Sequence, residues 1–157
     1  MAIFRVSTAR LAVIWLPFQK AIQKELLDLA AQMLEYPAVI NMFGVGETLG
    51  PQLMAETGDV RRFERKQSLI AFAGVDAPPY QSGAFEATKW SISKRGCPRL
   101  RKTLFQVMST LLQHAPAEEP VFRFLDRKRS EGKNYYVYMT AGANKFLRIY
   151  YGTVKAY

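Results

Sequence analysis

The chain has almost no cysteine or histidine, the residues on which thiol and imidazole chemistry depend. Cys97 is the one cysteine and His114 the one histidine among 157 residues. An intrachain disulfide and a zinc site built on cysteine pairs are therefore excluded. A Ser–His couple would depend on this single imidazole, and we interpret both residues as structural. We predict no metal site within this chain.

The chain also lacks a hydrophobic run long enough to span a bilayer. The apolar residues 11–18 follow Arg5 and Arg10, an order that resembles a secretion signal. However, this run is short, Pro17 interrupts it, and no small-residue cleavage site follows before Lys20. We interpret the run as part of a helix whose packing partner is missing, and we expect a cytoplasmic protein without a membrane partner.

Positive charge is in excess, and it is unevenly distributed. The formal net charge is +9, made up of −1 over residues 1–58, +6 over residues 59–103 and +4 over residues 104–157. A concentrated basic surface binds phosphate backbones through counterion release, without reading base sequence. Charge alone therefore favours a nucleic-acid partner. The alternative is a basic surface that binds no nucleic acid.

Apolar residues recur with helical spacing along most of the chain, which predicts an all-α fold. We expect a helix-hairpin-helix-like element, a Pro/Gly loop at residues 75–84 and a C-terminal helical pair. We further expect residues 1–36 to be a helical linker or coiled-coil remnant and residues 37–157 to form a domain. The predicted helices cover residues 19–35, a short segment before Gly44, and about 47–57, 64–73, 93–113, 119–131 and 135–154. Ser93 or Gly96 is the predicted N-cap of the helix that ends near residue 113. Residues 85–92 are interpreted as a short irregular strand.

The Gly44-Val45-Gly46 sequence marks the turn of the helix-hairpin-helix-like element. Glycine allows the backbone to turn tightly and to approach another backbone closely. The amides at the start of the next helix would then be placed to hold a phosphate oxygen. A plain helix–helix turn explains the same residues equally well.

A serine followed by glycine stands upstream of a cluster of cations between residues 82 and 102. Cations just before a helix gain nothing from the helix dipole, so an external anion is the more natural partner. The alternative is a solvated helix end. The predicted nucleic-acid contacts are Gly44, Gly46, Lys89, Lys94, Arg95, Arg99, Arg101 and Lys102.

Five blocks of sequence, taken in order, resemble the C-terminal domain of the IS110 family of insertion-sequence transposases. They are GVGETLGPQLMAETGDVRRF, AFAGVD, QSG, SKRGCPRLRKTL and YMTAGANKFLRIYY. Together they cover roughly residues 34–157. Members of this family have an N-terminal RuvC-like nuclease domain with four acidic metal ligands, a helical linker and a C-terminal transposase domain.

The resemblance implies DNA transposition with a structured guide RNA, and it places the family's recombination serine on Ser82. We hypothesise that Ser82 attacks a DNA phosphate and forms a phosphoserine link that is later transferred to a new strand. The alternative is an ordinary loop serine, because the sequence spacing assigns Ser82 no general base. Nearby arginines would stabilise the developing negative charge.

The chain departs from the family pattern because it has no room for the nuclease domain. We expect it to correspond to the C-terminal part of a transposase, with Mg²⁺ bound by the nuclease domain and no cofactor in this chain. We expect the full-length protein to be a homo-oligomer. Two alternatives stay open: a catalytically inactive helical fragment that binds DNA or RNA, and a degenerate remnant.

Overall fold

A computed structural model describes residues 8–76, 81–82, 85–86 and 92–157, with side chains from residue 15 onward outside the two strands. The predicted all-α class is confirmed, since the two strands in these ranges are only two residues long and pair with each other. The elements are α1 Thr8–Ala30, α2 Tyr36–Ile40, α3 Gly46–Thr57, a 3₁₀ turn Val60–Arg62, α4 Lys66–Ala73, β1 Gln81–Ser82, β2 Phe85–Glu86, α5 Pro98–His114, α6 Pro120–Ser130 and α7 Tyr135–Lys155.

Helices α5 and α7 form the centre of the core. Helix α5 packs against α3, α4, α6 and α7, and α7 also packs against α2, α4 and α6. Helical spacing predicts a buried stripe on α5 from Leu100 to Leu112, and its members are buried except Leu112, which is half-buried. On α7, Phe146 and Leu147 are buried as predicted. Burial of these side chains supplies the main driving force for the helices to pack.

Helical spacing predicts an inward face for α7, and this prediction is wrong at two positions, one in the first turn and one in the second half of the helix. Val137 and Ile149, predicted to pack inside, are 54% and 36% exposed. Tyr135 and Tyr136, interpreted mainly as packing residues, are also exposed. Helical periodicity identifies an apolar face but not what covers it, and here no described neighbour covers these positions.

The first helix differs from its predicted limits of 19–35. Helix α1 runs from Thr8 through Pro17 to Ala30. Its C-terminal end is earlier because residues 31–35 wind into tight turns, with the amide of Met33 bonded to the carbonyl of Ala30. Pro37, predicted to stop a helix, instead lies in the first turn of α2, where its missing N–H costs nothing. No helix in the described ranges has the length and apolarity to cross a membrane.

Two further boundaries are also corrected. Helix α5 is capped by Cys97, whose sulfur accepts from the Leu100 amide at 3.5 Å, and not by Ser93 or Gly96. Helix α4 begins at Lys66 and not at residue 64, because residues 60–62 form a separate 3₁₀ turn. The strand β1 lies within the predicted loop, and β2 lies within the predicted strand segment.

Tyr150 is buried in this core, and burial raises the pKa of Tyr150 from its ordinary 10.0 to about 12. The unfolded chain releases this proton near the ordinary value, so the free energy of unfolding should fall as pH rises from there through the folded pKa. The loss amounts to about 3 kcal/mol across that window. Tyr150→Phe should remove this component, which urea denaturation at alkaline pH would measure. If the unfolding free energies of the parent and of Tyr150→Phe changed in parallel with pH, this prediction would be contradicted.

Candidate nucleic-acid interface

Two segments that are distant in sequence, residues 72–76 and 93–97, run side by side. We call this pairing the loop base, because residues 77–92 connect the end of the first segment to the start of the second. Three backbone hydrogen bonds join the segments, from Cys97 N to Phe72 O at 2.6 Å, from Lys94 N to Gly74 O at 3.3 Å and from Ser93 N to Asp76 O at 2.9 Å. The Ser93 hydroxyl also donates to the Asp76 carboxylate. The blocks AFAGVD and SKRGCPRLRKTL are therefore neighbours in space.

Two glycines allow the loop base to close. Gly74 ends α4 in the left-handed conformation, with φ +66°. A Cβ on Gly96 would overlap the Phe72 carbonyl and would lie 2.6 Å from the Gly74 nitrogen. A side chain larger than hydrogen at position 96 would therefore force the two segments apart.

Arg101 holds the loop base from the side of α5. Its Nη1 atom donates to the Ala73 carbonyl at 3.1 Å, near the end of α4. A cation at a helix C-terminus is favourably placed against the helix dipole. Arg101 was predicted as a nucleic-acid contact, and the structure gives its guanidinium a structural bond.

Ser82 lies in the segment that the loop base anchors. Its backbone belongs to β1, where Ser82 pairs with Phe85 of β2. Ser82 follows Asp76 by six residues, so the chain can carry it at most about 20 Å from the loop base. The side chain of Ser82 and the whole of Lys89 lie outside the described residues.

One groove brings together three of the predicted contacts. It has a volume of about 790 Å³ and lies between α5 and the turn that joins α2 to α3. Gly44, Gly46 and Lys102 line it. A Cβ on Gly44 would come within 3.1 Å of the Val107 carbonyl, so this glycine allows the turn to pack closely on α5. We call this the turn groove.

A second groove, larger and more basic, lies between α5, α6, α7 and the loop base. Its volume is about 1130 Å³, and Phe105 lines both this groove and the turn groove. No carboxylate is among the described residues that line it. Its basic lining residues are Lys94, Arg127, Lys145 and Arg148. We call this the basic groove.

The sequence predicted only Lys94 among these four cations. The helical spacing of residues 119–131 predicts that Arg127 lies on a solvated helix face, and the sequence analysis assigns no contact to Lys145 or Arg148. The available signal was their spacing of three residues on α7, which puts both on one helix face next to Asn144. Asn144 accepts a hydrogen bond from Arg148 Nε at 2.9 Å, which orients the guanidinium.

Of the remaining predicted contacts that the structure describes, none lines either groove, and Arg101 makes the bond to Ala73 given above. Arg95 and Arg99 are exposed and line neither the turn groove nor the basic groove. Within the described ranges, no three potential metal ligands of the His, Cys, Asp or Glu type come together. The four cations of the basic groove are side chains that can bind an anion.

Comparison with known proteins gives two results. The model of the IS116/IS110/IS902 transposase family matches residues 37–123. A curated protein of Sinorhizobium fredii, named as transposase y4rJ, is 33% identical over 103 residues, which cover 63% of this chain and 26% of that protein. The matched part of this chain thus spans about a quarter of the length of that relative. The family match includes the turn groove and the loop base.

Gly96→Ala should destabilise the protein, because the added methyl group would force the loop base open. We expect a loss of about 3 kcal/mol in unfolding free energy, measured by urea denaturation. Gly152→Ala is the matched control, since a Cβ at Gly152 meets nothing within 4 Å. That change, in the exposed face of α7, should be neutral or slightly stabilising. Equal effects of the two substitutions would contradict the role of Gly96.

The charge of the basic groove should dominate binding to an immobilised sulfated polyanion. Replacing both Lys145 and Arg148 by glutamine should lower the salt concentration at which the protein elutes from heparin. Replacing Lys20 and Lys24 on α1 by glutamine removes the same charge from an exposed helix and should have less effect. Elution of both double variants at the same salt concentration would show that only net charge matters.

Proposed function

This chain belongs to the IS116/IS110/IS902 transposase family, and we propose that it is the part of such an enzyme that holds DNA and supplies a serine for strand exchange. A role in DNA transposition follows from the family. The residues that would hold the DNA are those of the basic groove and of the neighbouring turn groove. The serine is Ser82.

The loop base is the observation that carries this proposal. Lys94 belongs both to the loop base and to the lining of the basic groove. The segment with Ser82 leaves the same loop base through Asp76. A phosphate held at Lys94 would therefore lie within the reach of a hydroxyl tethered six residues beyond Asp76.

The proposed chemical step is a phosphoryl transfer that conserves the bond energy of the DNA. The Ser82 oxygen forms a bond to a DNA phosphorus while one sugar oxygen leaves and takes up a proton. The serine proton passes, directly or through water, to the leaving sugar oxygen. A sugar hydroxyl of the new strand then attacks the same phosphorus, and the serine oxygen leaves and regains a proton. Cations beside the phosphate stabilise the negative charge in both steps.

Further parts of the proposal rest on the family resemblance. Mg²⁺ would be bound by the acidic residues of the nuclease domain, where it would act as a Lewis acid. A structured guide RNA would be a second partner, and the full-length enzyme would be a homo-oligomer in the cytoplasm. The alternative function, a DNA- or RNA-binding fragment without catalysis, would use the same two grooves.

Ser82→Ala should abolish strand exchange without weakening DNA binding. With the nuclease domain supplied in trans, we expect the rate to fall by about a thousandfold, because the nucleophile is lost. A covalent protein–DNA adduct, visible on a denaturing gel, should form with the parent protein and not with Ser82→Ala. Ser68→Ala, an exposed serine of α4, is the matched control and should behave as the parent does.

The same experiment separates the two functions. If Ser82→Ala supports strand exchange and forms the adduct at the rate of the parent, Ser82 is not the nucleophile. If the parent protein binds DNA but neither protein exchanges strands, the binding-only function is correct.

A further inference from the structure

The basic groove carries exposed aromatic and aliphatic side chains beside its cations. Tyr136 is 70% exposed and lines the groove, together with Val137 and Ile149. A surface that binds only phosphates has no need of apolar groups exposed to water. Such an apolar patch inside a basic groove indicates a ligand with an apolar part as well as negative charge.

The exposed Tyr136 ring packs against a neighbouring aromatic ring. It contacts Tyr135 edge to face, with ring centroids 5.3 Å apart, and Tyr135 contacts Tyr138 in the same manner. The Tyr136 amide bonds to the Asn134 side chain at 3.2 Å, which caps α7. A ring that is already oriented loses little conformational entropy when a flat ligand stacks on it.

Two cations of the groove, Arg127 and Lys145, lie beside a second aromatic ring, that of Phe124, together with Lys128, which does not line the groove. Lys145 Nζ, Arg127 Cζ and Lys128 Nζ lie 5.0, 5.5 and 6.0 Å from the centroid of the Phe124 ring. The ring quadrupole attracts each cation, which partly offsets their mutual repulsion. Glu131 already pairs with Arg127 at 3.8 Å and with Lys128 at 2.7 Å. A phosphate in the groove would therefore bind mainly at Lys145 and Arg148.

Single-stranded nucleic acid is the ligand that matches both features. In a duplex, each base is stacked between its neighbours, so an exposed tyrosine beside the helix finds no base face to contact. An unpaired strand presents its phosphates and its base faces together, and proteins bind such strands with cations and aromatic platforms.

We propose that the basic groove binds an unpaired stretch of nucleic acid, with a base stacked on Tyr136 and the backbone along Lys145 and Arg148. This proposal rests on the proposed function, which it deepens by specifying the form of the nucleic acid. The strand is DNA or RNA, since both offer the same phosphates and base faces.

The test compares single and double strands in the intact chain. The probes are labelled oligothymidylate and oligouridylate, measured by fluorescence anisotropy, with relaxed circular duplex DNA as a competitor that has no ends. Tyr136→Ala should weaken oligothymidylate or oligouridylate binding about tenfold, because one stacking contact is lost. Its effect on competition by the duplex should be negligible. Tyr136→Phe keeps the ring and should bind as the parent does.

Tyr157→Ala is the matched control, because Tyr157 is 55% exposed and does not line the groove. Stronger binding of oligothymidylate would identify DNA as the strand, and stronger binding of oligouridylate would identify RNA. The proposal is overturned if Tyr136→Ala weakens the binding of single strands and of the duplex equally. It is also overturned if the substitution weakens the binding of neither. If the parent binds the duplex but neither oligonucleotide, this inference fails and the proposed function stands. If the parent binds no nucleic acid, both fail.

Discussion

The close approach of Gly74 and Gly96 is the contact on which the arrangement of the basic half of the molecule depends. It lets the carbonyl of Phe72 reach the amide of Cys97, and this bond fixes where α5 begins. With α5 started there, Arg101 reaches the end of α4. The same pairing puts Lys94 on the rim of the basic groove. One backbone contact thus determines the position of a helix start, a structural cation and a cation of the basic groove.

The segment with the largest net charge is not the segment that supplies most cations of the basic groove. Residues 59–103 carry the largest net charge, but part of it serves the fold. The Arg62 guanidinium lies 4.5 Å from the ring centroids of both Phe63 and Phe72, and it also donates to the Thr57 carbonyl. Residues 104–157 have a smaller net charge, yet they supply three of the four cations of the basic groove. Net charge in a segment predicts a polyanion partner without locating its site.

The helices were predictable from sequence because each depends on local periodicity. The α5 stripe from Leu100 to Leu111 repeats at helical spacing, and its burial needs no knowledge of distant residues. Boundaries were less predictable where tertiary contacts decide them, as at Cys97, which caps α5 because its amide is tied to Phe72. The basic groove was not predictable as a unit. The packing of α6 on α7 brings together its cations at positions 127, 145 and 148, and the loop base adds Lys94.

An unpaired strand in the basic groove would also suit the chemistry proposed for Ser82. In-line attack requires the phosphorus, the attacking oxygen and the leaving oxygen to be aligned within a narrow geometry. In a duplex the backbone torsions are coupled to base stacking, so turning one phosphate into line requires deformation of the helix. In an unpaired strand the same torsions are free. The Lys94 side chain would hold the backbone of the strand, and Tyr136 would hold one of its bases. A phosphate between these two contacts would stay able to rotate towards the serine.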